Sequence, residues 1–147
     1  MPRLPATSRI NLPPGPEAAS LARDFVAIAG AARGASAAVD VLRLAASELV
    51  GNAIRHAGGA RSISCEVVDG VVVVEVVDDG APFALSVDPP GDDEECSGRG
   101  LFLVWALGCG LGSGPVRGGG KWVRAEIVPE PPRQGPALVA PFVVARL

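Results

Sequence analysis

The sequence predicts an α+β fold, a two-layer sandwich of helices on one face of a mixed β-sheet. Three observations lead to it. Two helices are expected before residue 58, the longer with its apolar residues at helical spacing, two β-rich runs follow on either side of Asp69-Gly70, and a short apolar helix and further β-rich residues come after a broken polar loop. The resulting order is β, α, α, β, β, loop, α, β, β, which closes one layer of helices over one sheet. At 147 residues, 48% of them hydrophobic, the chain has enough apolar material for one compact core and too little for two.

Each element has a local reason. Arg9 to Leu12 reads as a short edge strand, stopped by Pro13 and Pro14, which cannot donate to a ladder. Pro16 and Glu17 suit the first turn of a helix running to about Gly30. A longer helix is expected from Ser36, a capping residue, to about Ala57, with Gly58-Gly59 ending it. Its buried stripe is Val39, Leu42, Ala46, Leu49, Val50 and Ala53.

Arg61 to Val68 and Val71 to Asp78 form a hairpin through Asp69-Gly70, a pair favoured in two-residue turns. Both faces of the second strand carry valine, so helices are expected over one and a second copy of the chain or the apolar tail over the other. Residues 81–98, full of Pro, Gly and acids, read as a loop, and Arg99 to about Leu107 as a helix. Gly-rich turns from Gly108 to Gly120 surround a short strand at Pro115 to Arg117, before a closing strand at Lys121 to Val128. The expected organisation is a flexible N-terminus over 1–8, one domain over 9–128, and a Pro-containing apolar tail over 129–147.

Composition narrows the function. The formal net charge is −3 and no Lys/Arg stripe forms, which disfavours direct nucleic-acid binding because counterion release has little to act on. No apolar run approaches the roughly 20 residues of a membrane span, and Met1 to Gly15 lacks the apolar centre of a secretory signal, so a soluble cytoplasmic protein is expected. Cys65, Cys96 and Cys109 are too widely spaced for a zinc knuckle and read as three reduced thiols.

Three short constellations carry chemistry. Glu48 and Asn52, four residues apart, lie about 40° apart around a helix and off its buried stripe. An acid and an amide so placed suit a nucleotide site, the amide oxygen for Mg²⁺ and the carboxylate for an attacking hydroxyl; a solvated helix edge has the same spacing. Asp78, with Asp79, Gly80, Ala81 and Pro82 behind it, ends the valine strand on the face of Val72, Val74 and Val76. There it is placed either to accept from an exocyclic amine such as that of adenine or to start a simple turn. Gly98, Arg99, Gly100 and Leu101 open a helix, whose free N–H groups suit phosphate oxygens; a plain hinge reads the same way.

Other motifs fail. Gly118-Gly119-Gly120-Lys121 is no P-loop, since the first required glycine falls on Pro115 and Trp122 follows the lysine. His56, the single histidine, sits near a helix C-terminus, where capping or packing is expected of it.

In this order, the segments Glu48 to His56, Asp78 to Pro82 and Gly98 to Leu101 resemble the N, G1 and G2 boxes of the GHKL (Bergerat) ATP-binding fold. The resemblance spans about Arg9 to Val128 and is similar to anti-sigma-factor serine kinases of the RsbW/SpoIIAB type, in their short actinobacterial form. It implies ATP and Mg²⁺ as cofactors, Glu48 as catalytic base, Asn52 as Mg²⁺ ligand, and Asp78 as the adenine-amine acceptor in a pocket shaped by Gly80. Gly98, Arg99, Gly100 and Leu101 would border the phosphates, with residues 83–97 as a lid.

The implied activity is transfer of a phosphoryl group to a serine of an anti-sigma antagonist. The implied partners are that antagonist, a sigma factor and a second copy of the chain. Two departures stand out: Pro82 replaces a usual glycine, and Trp122 stands where many relatives place a threonine that supports the aspartate; an indole directed at the pocket would narrow it or displace a bound-water partner, and one directed the other way would cost nothing.

Overall fold

A computed structural model describes residues 6–82, 99–129 and 143–145. Strand β1 (Thr7–Asn11) leads to helix α1 (Glu17–Ala32), then to a 3-10 turn at Ser36–Ala38 that runs into helix α2 (Val39–Ala57). Strands β2 (Ala60–Val68) and β3 (Val71–Asp78) follow, then helix α3 (Arg99–Ala106) and strands β4 (Gly110–Pro115), β5 (Lys121–Ile127) and β6 (Val143–Ala145). The sheet order is β1-β2-β3-β5-β4-β6; the β4–β6 pair is parallel and the others are antiparallel, which makes the sheet mixed. The α+β sandwich expected from the sequence is the fold observed.

One face of the sheet builds the core. Ile63 and Cys65 of β2, Val72, Val74 and Val76 of β3, and Val123, Ala125 and Ile127 of β5 are buried with Leu42, Ala46, Leu49, Val50 and Ala53 of α2 and Val26 of α1. The helix stripe meets the strand alternation here, which is why both periodicities were visible. Ala45 joins the stripe and Val39 is only half-buried. Arg23 reinforces the α1–α2 contact by donating to Ser47 Oγ at 3.0 Å, and Arg33 ties the end of α1 to β1 through Ser8 Oγ.

The turns follow backbone rules. Asp69 and Gly70 both have positive φ, 51° and 78°, the geometry of the favoured two-residue hairpin. Gly58 ends α2 in the left-handed region at φ 74°, and the Gly59 N–H donates to the Ala53 carbonyl at 3.1 Å.

Several expectations need correcting. β1 starts at Thr7, two residues earlier than read, within the segment taken as a flexible terminus. Ser36 does not cap α2: it opens the 3-10 turn, and Ala38 stands at the N-cap with no side-chain bond. The glycine-rich segment 110–115 is a full strand, because pairing with β5 satisfies its backbone and Leu111 and Ser113 turn inward. Glycines at the alternate positions hid the period of two.

The outer sheet face is less apolar than the valines imply. Val73 is buried there, but Glu75 and Arg124 form an ion pair at 3.0 Å beside it, and Arg124 lies 4.0 Å from the Trp122 ring centroid. Val143–Ala145 of the tail runs beside Leu111–Ser113, so this part extends the sheet at its edge. The rest of the tail lies outside the described residues.

Two predictions come from this packing. Leu49, 1% exposed, fills the middle of the α2–sheet interface, and Leu49→Ala is expected to lower unfolding stability by about 2–5 kcal/mol in a denaturant titration. Burial pushes the Cys109 thiol up to about 11, and burial likewise raises Cys65, offset in part by Arg33 and reinforced by Glu66. At pH 8 both thiols are therefore protonated as well as enclosed. A chromogenic disulfide reagent is expected to titrate no more than one thiol quickly in the native protein and all three after denaturation.

Candidate functional site

The site follows the axis of α2. Glu48 is half-buried, and Asn52, one turn on, is 2% exposed. The Asn52 Nδ2 atom is buried with no hydrogen-bond partner among the described residues. Asn52 is therefore one of the buried residues of α2, beside Ala45 and Leu49, and not off the buried stripe as its spacing suggested. A buried, unanswered amide carries a desolvation cost of about 1–3 kcal/mol unless a ligand meets it. Rotation of the amide presents either its oxygen or its nitrogen, so a cation and a phosphate oxygen are both within its chemistry.

Five residues further on, roughly 7.5 Å along the helix, Ala57 ends α2 against Gly80. A methyl group placed on Gly80 would stand 3.1 Å from Ala57 Cβ, 3.0 Å from Asp78 Oδ1 and 2.7 Å from Lys121 Nζ. The absence of a side chain at Gly80 thus permits the close approach of three side chains. Its N–H donates to Asp78 Oδ1 at 2.8 Å, which folds the chain back over the carboxylate after β3 ends.

Asp78 is fully buried, and Lys121 is 1% exposed. Lys121 Nζ donates to both carboxylate oxygens, each at 2.7 Å. The β3–β5 register puts these residues directly opposite each other, with Val76 opposite Val123 one inward step before. Such a pair replaces hydration with direct charge-assisted bonds, and removing one member strands the other in the interior.

Lys121 did not figure among the residues singled out from the sequence, although a signal was there. Counting by twos from Val123, Ala125 and Ile127 places Lys121 on the inward face, where a lone lysine needs a partner.

Trp122 takes the second of its two expected directions. It pairs with Val77 and lies on the outer face under Arg124, so the indole does not narrow the pocket beside Asp78. The inward neighbour is Lys121, one residue before.

The third constellation is placed in part. Arg99 and Gly100 begin α3, which packs on α2, and Leu101 is buried in the shared core. Gly98 and the lid expected over 83–97 lie outside the described residues. His56 is exposed in the last turn of α2, where a cation complements the helix dipole; a packing role is excluded. Two open surface grooves lie elsewhere, one by Gly58, Gly59 and Asp79 and one on the outer face by Trp122, and neither reaches Asn52 or Asp78.

A family model described as a histidine kinase-like ATPase domain matches residues 12–126, most of the chain and all of the placed site. A comparison with curated proteins finds no match. Among the described residues, no helix is long and apolar enough to cross a membrane.

The ion pair makes a direct prediction. Asp78→Ala leaves the Lys121 ammonium buried without its carboxylate, and a loss of about 3–5 kcal/mol of unfolding stability is expected from chemical denaturation. A loss below about 1 kcal/mol would mean that the pair is solvated in the working protein.

Proposed function

The chain belongs to the family of histidine kinase-like ATPase domains, and we propose that it is an ATP-binding regulator that acts as a protein-serine kinase on an anti-sigma antagonist. The observation that carries the nucleotide part is the buried Nδ2 of Asn52, without a partner among the described residues, on the same helix face as Glu48. A helix that buries an amide without a partner leaves a free polar function where the family places nucleotide.

In this reading Asn52 offers its oxygen to Mg²⁺, and the cation, when bound, neutralises charge on the phosphates. Glu48, half-buried one turn earlier, orients and deprotonates the attacking serine hydroxyl. Arg99 and Gly100, at the start of α3, bring backbone N–H groups to the phosphate end. Phosphorylation of the antagonist adds charge that weakens its hold, releasing the regulator for a sigma factor; a second copy of the chain completes the proposed set of partners.

A second reading is a protein-binding module that keeps the fold and acts by sequestering a partner. The Lys121–Asp78 pair favours it, since the carboxylate expected to meet the base is already engaged.

Calorimetric titration with ATP separates the two. The kinase reading expects Mg²⁺-dependent binding, with Asn52→Ala weakening it about tenfold or more in Mg²⁺ and changing it little in chelator. Glu48→Gln is expected to retain binding and to lower γ-phosphate turnover by about 10²–10⁴-fold. Absence of heat for ATP in the folded wild type would leave the sequestering module.

A further inference from the structure

We propose that Lys121 is a base-selectivity residue: its ammonium stands on Asp78 in the position that the exocyclic amine of an adenine base would take. The proposal rests on the nucleotide-binding reading above and concerns what that site accepts.

A carboxylate only accepts hydrogen bonds, so it selects a 6-amino purine by offering an unoccupied oxygen to the amine. Asp78 is heavily committed already. Oδ1 receives the Gly80 N–H at 2.8 Å and Lys121 Nζ at 2.7 Å, and Oδ2 receives the same ammonium at 2.7 Å. An ammonium that bridges both oxygens lies between them on their outward side, the approach that a base amine needs. On one side Gly80 packs against it, since a single methyl there would meet Nζ at 2.7 Å and Ala57 Cβ at 3.1 Å.

The cation is held there by the fold. Lys121 faces Asp78 across the β3–β5 ladder, and its stem lies on the inward face with Val123. An adenine amine must therefore compete with a donor that carries a full charge and is tethered to the same sheet. A purine with a carbonyl at position 6 meets a different site: the ammonium donates to the carbonyl oxygen while the ring N–H beside it donates to Asp78. The pair turns an amine acceptor into a donor–acceptor edge.

The test titrates ATP and inosine triphosphate, which differ at purine position 6, into wild type, Lys121→Thr and Lys121→Met. The methionine variant keeps an apolar stem in the core if the threonine variant fails to fold. Wild type is expected to bind the two nucleotides within about threefold of each other. Each folded variant is expected to bind ATP about tenfold tighter than wild type, with no gain for inosine triphosphate. The sign is diagnostic, since removing a cation should by simple electrostatics weaken a polyanionic ligand.

A wild type that prefers ATP by more than about tenfold overturns the proposal, as do variants that gain equally for both nucleotides or lose affinity for ATP. In those cases Mg²⁺-dependent ATP binding by wild type would leave the nucleotide reading standing. Failure of every folded protein to bind either nucleotide would overturn both.

Discussion

The antiparallel register between β3 and β5 is the constraint on which the site depends. It sets Val74 against Ala125 and Val76 against Val123 under α2, and one inward step later it sets Asp78 against Lys121. The same ladder therefore builds the apolar layer and ends it in a buried ion pair. A shift of one residue would either turn Val72, Val74 and Val76 of β3 outward or bring Trp122 of β5 to the inner face, so the apolar pattern and the charge pair enforce a common register. Gly120, at φ 90° where the chain enters β5, lies so close to the Asp78 carbonyl that a side chain there would collide with it.

Helix α2 joins this sheet to the chemistry. Its stripe of Leu42, Ala46, Leu49 and Ala53 is anchored in the core, which fixes the rotation of the helix and with it the direction of Glu48 and Asn52. Gly58 stops the helix just where Ala57 reaches Gly80, so the end of α2 and the end of β3 are held together. The amide and the carboxylate are thereby positioned by rigid elements, the arrangement that a preorganised site needs.

Within this frame the two buried polar groups differ in kind. Asn52 buries its Nδ2 without a partner among the described residues, which is costly unless something else meets it. Asp78 is buried and fully answered by Lys121 and Gly80. Among the described residues the Asn52 Nδ2 has no partner, whereas the Asp78 carboxylate is internally paired. Membership in the ATPase family rests on the fold, which the apolar layers carry, and leaves the few polar atoms among them free to differ.

The sequence by itself determined the fold class, because the core rests on local periodicities: the 3.6-residue stripe of α2, the valine alternation of β3, and the Asp69-Gly70 turn between two β-rich runs. It also marked Glu48, Asn52 and Asp78 as chemically notable, since each stands at a defined offset from those periodicities. Only the tertiary structure decided what each one meets. Burial of Asn52 without a partner depends on neighbours distant in sequence, and Lys121 reaches Asp78 from 43 positions away through a strand pairing that no local pattern specifies. The strand at 110–115 was hidden for the same reason: glycines carry no pattern of their own, and the hydrogen bonds of β5 gave that segment its structure.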